Sequence, residues 1–388
     1  MGLIQDYLTT VRGSWADGIP RPYTNIAKLE VLDINENVTS EITTDILEGS
    51  VNIVSQTGSR RTASVTLKNK ALVYNLDPDG IWLDTKFRLW SGVEDYLGNQ
   101  YYFSQGIFVL GECYEESQPS SATVRLELYD KACLLNGTIS GGILYSSIIP
   151  INTNVVDAVK LILNAANTSQ PMLNYTNKPL IADTSTFVMP YTLQVEASGT
   201  YMDILTKLSD AATCVFYFDR DGYPNFVAPV NYTTAPSNLV LTENDQIKIG
   251  FSKQVDIQAV KNSVVVMGGS FGDGAIYTAS AQDTTPTDPT RIGRIGERQL
   301  YIEDQVIYTT ALAKLRADYE LSKAVQASEA INSTLVPIDF LDVDEIVTLT
   351  DARLKESSTR LLTKQITLPI IHIGNDMTVD IWRTRSFS

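Results

Sequence analysis

The chain is poor in the residues that usually carry chemistry. Among its 388 residues there is one histidine, His372, set in the apolar run LPIIHIG. One imidazole cannot build a histidine-based metal site, and a catalytic triad would need a nucleophile and an orienting acid that only the fold could bring near. The surroundings of His372 read as a half-buried strand. There are three cysteines, Cys113, Cys133 and Cys214, widely spaced and odd in number. This argues against a disulfide framework or a zinc knuckle and fits free buried thiols, none with a basic or histidine neighbour to activate it. Positive charge is scarce as well: 30 Lys and Arg against 45 Asp and Glu leave a net charge of −15. A balance so acidic disfavours tight binding to a phosphate backbone and suits a wall past which nucleic acid slides. No apolar run reaches the roughly 18 residues of a membrane span. MGLIQDYLTT lacks the basic start and apolar core of a signal peptide, and Asp6 stands where myristoylation requires Ser or Thr. The expectation is a soluble chain made in the host cytoplasm, with no cofactor and no metal.

Tyrosine, by contrast, is frequent (19 residues), and Val, Ile and Thr are abundant, a composition that favours strands. A chain of this length exceeds one ordinary core. Residues 1–24 read as an N-terminal arm, an amphipathic stretch (Leu3, Ile4, Tyr7, Leu8) followed by turn residues. From 25 to 136, period-two alternation recurs in AKLEVLD, EGSVNIVSQ, RRTASVTLKN, KFRLWSGV, YYFSQGIFVLGECYE and SATVRLELYD, separated by turn clusters such as Asp77-Pro78-Asp79-Gly80 and Leu97-Gly98-Asn99. So many short strands predict a small barrel or sandwich.

A mixed α/β module is expected over 137–250: a helix in NTNVVDAVKLILNAAN with Asn154 as N-cap, and a second in SGTYMDILTKLSDAAT with Leu205, Leu208 and Ala212 on one face. Residues 251–388 read as β-rich again, with an inserted helix over about 304–325 whose apolar face would be Tyr308, Ala311, Leu312, Leu315 and Tyr319. The order β-rich, mixed, β-rich is a coarse duplication.

Within the mixed module, CVFYFDRDGYPNFVAP holds Asp219, Asp221 and Gly222 in the order D-R-D-G. A calcium loop of the EF-hand type needs a ligand ladder and a glutamate six residues after the glycine; here Tyr223-Pro224-Asn225 follows, and position 228 is Ala228. Asp-Gly between two alternating runs predicts a hairpin with a primed turn, which places positive φ at the glycine. GGSFGDG, from Gly268 to Gly274, lacks the Gly-Lys-Ser/Thr of a phosphate loop and runs into the strand AIYTAS, so it also reads as a hairpin loop. The acid pairs Glu115-Glu116 and Asp342 with Asp344 have the chemistry of a glycosidase, but adjacent acids on loops are commonly only solvated. Arg291, Arg294 and Arg298 stand out in an acidic chain, either as a solvated loop or as contacts to an acidic neighbouring subunit.

Three stretches in order are similar to one family. GSRRTASVTLKNK with KFRLWSGV and YYFSQGIFVLGECY resembles the first barrel of phage tail baseplate hub proteins. TYMDILTKLSDAATCVFYFDRDGYPNFVAP resembles their middle module, and IGERQLYIEDQVIYTTALAKLRADYEL their Gly-x-Arg segment and following helix. The motifs are loose singly; order and spacing carry the resemblance, across most of 25–388. It implies a mainly β fold with two pseudo-duplicated antiparallel β-barrels plus the mixed module, assembling as a ring.

In such a ring three copies present six barrels and join a sixfold tail tube to a threefold central spike or tail tip. The function implied is a non-enzymatic hub in the virion, with tail tube protein, spike or tail-tip protein and other baseplate proteins as partners of a homotrimer. Relatives occur in contractile tails, flexible tail tips, tail-like bacteriocins and type VI secretion spikes. The sequence ends at DIWRTRSFS just after its last apparent strand, so lytic or spike functions are expected on another polypeptide. Ring contacts are expected to use basic groups, Arg291, Arg294 and Arg298 first and Arg60 and Arg61 second. The competing reading is a β-rich carbohydrate-binding or glycoside-degrading protein, with Trp82, Trp90 and Tyr101 stacking sugars beside a carboxylate pair.

Overall fold

The computed structural model describes residues 2–12, 22–70, 72–119, 121–144, 147–183, 187–189, 192–195, 198–212, 214–231, 234–243, 245, 247–256, 258–271, 275–288, 290–304, 307, 309–325, 327–371 and 376–385. The chain forms two compact units: Met1–Gly250 with Ser333–Val379, and Phe251–Asn332 with Asp380–Ser388. It crosses between them within the strands Lys248–Asp256, Ala327–Leu335 and Met377–Arg385.

The first unit opens with helix α1 (Gly2–Arg12), the segment expected as an arm. Tyr7, Leu8 and Val11 are buried while Leu3 and Ile4 are exposed. The Tyr7 ring meets Phe103 and Phe340 edge-on, and its hydroxyl donates to Asp339 Oδ2 at 2.8 Å. Arg12 closes the helix with an ion pair to Asp245 at 2.9 Å.

Twelve strands of this unit matter here: β1 (Thr24–Leu32), β2 (Val38–Ile42), β3 (Ile46–Val54), β4 (Arg61–Lys68), β5 (Lys86–Glu94), β6 (Gln100–Gln118), β7 (Ser121–Asp130), β8 (Val215–Phe218), β9 (Pro224–Val227), β10 (Ser237–Thr242), β11 (Ile346–Asp351) and β12 (Glu356–Ile370). The main sheet runs β12-β3-β4-β7-β6-β5-β1-β2, with β11 on β12 and β10 parallel to β11. Its core comes from the period-two alternation the sequence displays: Ala63, Val65 and Leu67 of β4 and Val124, Leu126 and Leu128 of β7 point inward.

The fold is mainly β, with a large antiparallel sheet, and among the described residues no pairing closes it into a barrel. The block 251–388 is not one compact unit, because β12 pairs with β3 (Gln365 opposite Val54, Ile370 opposite Gly49) and carries 333–379 into the sheet of the first segment. The mixed module lies in the same unit. Helix α2 (Val155–Ser169) starts where Asn154 accepts from Val156 N–H at 2.9 Å, and α3 (Tyr201–Ala212) buries Leu205 and Leu208 against Phe216 and Phe226 of the β8–β9 hairpin.

In the second unit, strand Ser263–Phe271 lies between Ala275–Gln282 and Gln299–Asp304. The helix Thr310–Ala324 packs on this sheet with a face that only overlaps the expected one: Leu312 packs against the core, whereas Ala311 and Leu315 are exposed. Ala313 and Ala317 are buried against Val264 and Val266, while Leu315 is 68% exposed. Small side chains let the helix sit close to the sheet, and the large apolar residue turns outward. Tyr308 and the side chain of Tyr319 lie outside the described residues, as do His372 and 272–274 of the Gly268–Gly274 loop. Cys113, Cys133 and Cys214 are free thiols, of which only Cys133 is fully buried; burial raises the pKa of all three. No helix among the described residues is long and apolar enough to cross a membrane.

Candidate functional site

The D-R-D-G stretch is a hairpin turn between β8 and β9. Asp219 N–H donates to Tyr223 O and Gly222 N–H to Asp219 O, while the Asp219 carboxylate accepts from the N–H groups of Asp221 and Tyr223 and from Asn225 Nδ2. Gly222 has φ +77°, but Asp221 is not among the positive-φ residues, so the turn is a type I turn closed by a left-handed residue and not the primed turn expected. The same device recurs at Asp33–Asn37 and Asp95–Asn99. There Glu36 (φ +68°) and Gly98 (φ +85°) hold the left-handed position and Asp33 and Asp95 cap the N–H groups two and four residues on. The Asp219 oxygens thus serve the turn's own N–H donors. Among the described residues no group of three or more Asp, Glu, His or Cys could hold a metal.

Beside this turn lie two buried charge clusters. In the first, Arg220 reaches from the turn to Asp342 (Nε–Oδ2 2.9 Å) and to Leu341 O (2.7 Å). Arg61, at the start of β4, pairs with the same Asp342 oxygen at 2.5 Å, and Arg60 pairs with Asp344 at 2.8 Å while its guanidinium lies 3.5 Å from the centre of the Tyr217 ring. Asp130 accepts from the backbone N–H groups of Arg60 and Arg61 at 2.6 and 3.0 Å, so the segment is held at main chain and side chain alike. Burial would raise the Asp342 carboxyl, but Arg61 and Arg220 outweigh it and hold it at about 2. Glu345, which accepts from Asp342 N–H at 3.0 Å, is pushed up by burial to about 7.

In the second cluster one carboxylate serves two buried lysines. Glu36 Oε1 accepts from Lys86 at 3.0 Å and Lys131 at 2.9 Å, and Lys178 stands 4.0 Å from Oε2. Burial brings Lys131 down to about 8 against the attraction of Glu36. Gly222 presses against this cluster: a Cβ there would lie 3.1 Å from Ile107 Cδ1, 3.4 Å from Lys131 Nζ and 3.5 Å from Glu36 Oε2. The turn is therefore clamped by Arg220 on one side and by close packing at Gly222 on the other.

Arg60 and Arg61, expected at subunit contacts, are 4% and 2% exposed and committed to partners within the unit. The signal was present in the sequence. Arg61 precedes Ala63, Val65 and Leu67 at period two, and Asp130 follows Val124, Leu126 and Leu128, so both sit on the core-facing register.

Arg294 and Arg298 are exposed on the second unit, whereas Arg291 is half-buried and donates to Asp288 O at 2.9 Å. Several of the groups named for sugar chemistry are engaged elsewhere. Glu115 accepts from Asn75 Nδ2 and Leu76 N–H, Asp342 and Asp344 hold arginines, and Lys28 sits 5.2 Å from the Trp90 ring centre.

No family model matches the sequence, and no curated protein matches it. Solved structures do. A tail protein from Neisseria meningitidis superposes with TM-score 0.64 at 11% identity, covering 92% of this chain and 96% of its own. The chain has the fold of phage tail proteins. The 43 kDa tail protein of prophage MuSo2 from Shewanella oneidensis shares it with TM-score 0.59 at 13% identity over 92% of this chain and 97% of its own. A Francisella PdpA–VgrG complex structure agrees with TM-score 0.55 at 10% identity, over 95% of this chain and 55% of that one. The resemblance drawn from the three sequence stretches thus holds at the level of the tail protein fold.

Proposed function

We propose that the protein is a non-enzymatic structural hub of a phage tail baseplate or tail-like particle. In this reading three copies close into a ring joining a sixfold tail tube to a threefold spike or tail tip, with passage for cargo. The observation that supports it is the end-to-end agreement of fold with a tail protein, 92% of this chain against 96% of that one, at a level where sequence identity is only 11%. In this reading 25–136 and 251–388 are the duplicated β-rich stretches of the sequence, with 137–250 inserted and 1–24 leading in, and 333–379 pairs with the first stretch in one shared sheet.

The buried clusters suit this role. Arg220, Arg61 and Arg60 are bound to Asp342 and Asp344, an arrangement that fixes one geometry. Cyclic closure requires a head-to-tail interface, and a chain at −15 gains from exposed basic groups at that contact, here Arg294 and Arg298. The acidic balance suits a lumen past which DNA moves without binding.

Native mass spectrometry of the purified chain tests the reading. Three chains of 42.8 kDa give an assembled mass of about 128 kDa. A stable dimer, or a monomer that also fails to close on a tail-tube template, overturns it.

A further inference from the structure

The basic segment of the second unit is held by a buried scaffold. Asn262 has no exposed surface. Its Nδ2 donates to Thr290 O at 2.9 Å and Gly296 O at 2.8 Å, and its Oδ1 accepts from Arg298 N–H at 2.7 Å, so one amide brackets the whole loop. Its backbone N–H also donates to Arg298 O at 3.0 Å. Thr290, itself buried, places its Oγ1 hydroxyl 3.0 Å from the Asp283 and 2.6 Å from the Asp288 carboxylate, its one proton shared between them, and Arg291 closes back on Asp288 O. Ordering a surface loop costs backbone entropy, which these buried bonds offset.

What the scaffold presents is RIGRIGER, three arginines and one glutamate in eight residues. Glu297 is drawn sideways by Gln282 at 3.2 Å, Arg291 is turned inward, and Arg294 and Arg298 are exposed around a partly exposed Ile295. A Cβ built on Gly293 or Gly296 would meet nothing within 4 Å, so the backbone there stands clear for a partner to approach.

We infer that loop 290–298 is a preformed docking element for an acidic surface on a second copy of this chain, with Arg294 and Arg298 as the contacting cations and Asn262 as the residue that positions them. The inference rests on the ring reading proposed above and names the contact. Charge selects the occupant: a chain carrying −15 offers acidic surface to another copy, whereas duplex DNA would meet repulsion from the rest of the molecule. Preorganisation adds to affinity because the loop does not have to be ordered on binding.

Sedimentation velocity on the full chain over a concentration series, at low and high salt, tests it. The wild type should assemble, less so at high salt, and R294E/R298E should raise the concentration for half-assembly by about tenfold or more. R294K/R298K should retain most of the assembly, and N262A, which changes no charge, should weaken it. Should N262A fail to fold, judged by circular dichroism, the arginine pairs decide the question. An assembly that R294E/R298E leaves unchanged overturns the docking inference alone, with the hub reading intact. A wild type that stays monomeric with and without a tail-tube template overturns both. Wild-type binding to duplex DNA that R294E/R298E abolishes would overturn the choice of partner.

Discussion

Replacing Gly222 by alanine separates two costs that coincide at one position. The first is backbone. Gly222 sits at φ +77°, and an L-residue in the left-handed region costs about 1–2 kcal/mol. The second is packing, since the new Cβ would lie 3.1 Å from Ile107 Cδ1 and 3.4 Å from Lys131 Nζ, beside a lysine and a carboxylate with no exposed room to move into. Displacing those tips adds about 1 kcal/mol, for a total of about 2–3 kcal/mol.

Gly98 supplies the control. It holds the same place in an equivalent turn at φ +85° with nothing within 4 Å of its Cβ, so Gly98→Ala should carry the backbone cost alone, about 1–2 kcal/mol. Asp221→Ala should fall within about 0.5 kcal/mol, because Asp221 is exposed and outside the left-handed region. Urea denaturation midpoints at constant slope measure all three. Equal penalties at Gly98 and Gly222 would refute the crowding argument. A penalty at Asp221 matching that at Gly222 would restore the primed turn.

Asp342→Asn leaves Arg61 buried without its carboxylate and should cost about 3–5 kcal/mol by the same assay. Because the Asp342 pKa is lowered to about 2, its contribution is complete above the ordinary carboxylate value near pH 4 and is lost as pH falls from there towards 2; Asp342→Asn should flatten that limb of the stability curve. Glu345 acts in the opposite sense. Its pKa is raised to about 7, so its contribution is complete below about pH 4 and disappears as pH rises through 7, and Glu345→Gln should abolish this decline. Arg61→Ala should destabilise the first unit by several kcal/mol, whereas Arg294→Ala should leave thermal stability within about 0.5 kcal/mol of wild type. A neutral Arg61→Ala would return that residue to the list of surface contacts.

Local physics was enough to read α2 with its Asn154 cap, the buried leucines of α3, the alternating strands of β4 to β7 and the hairpin at Asp219–Gly222. Each depends on residues within a few positions of one another, and period two or 3.6 carries the information. Local order also identified a basic loop at 291–298 and, from three spaced stretches, the kind of fold. It did not reveal that β12 joins β3, since strand partners distant in sequence are chosen by the sum of packing and pairing over the whole sheet. Nor did it show what the core-facing Arg61 would meet. Arg61 meets Asp342 and Arg220 only because segments more than a hundred residues apart converge, and the desolvation that ties them together exists only once the core has closed. In the helix Thr310–Ala324 the sequence offered Leu315 as core, yet the buried face is Ala313 and Ala317. Periodicity ranks residues by hydrophobicity, whereas the distance to the facing sheet is set in three dimensions.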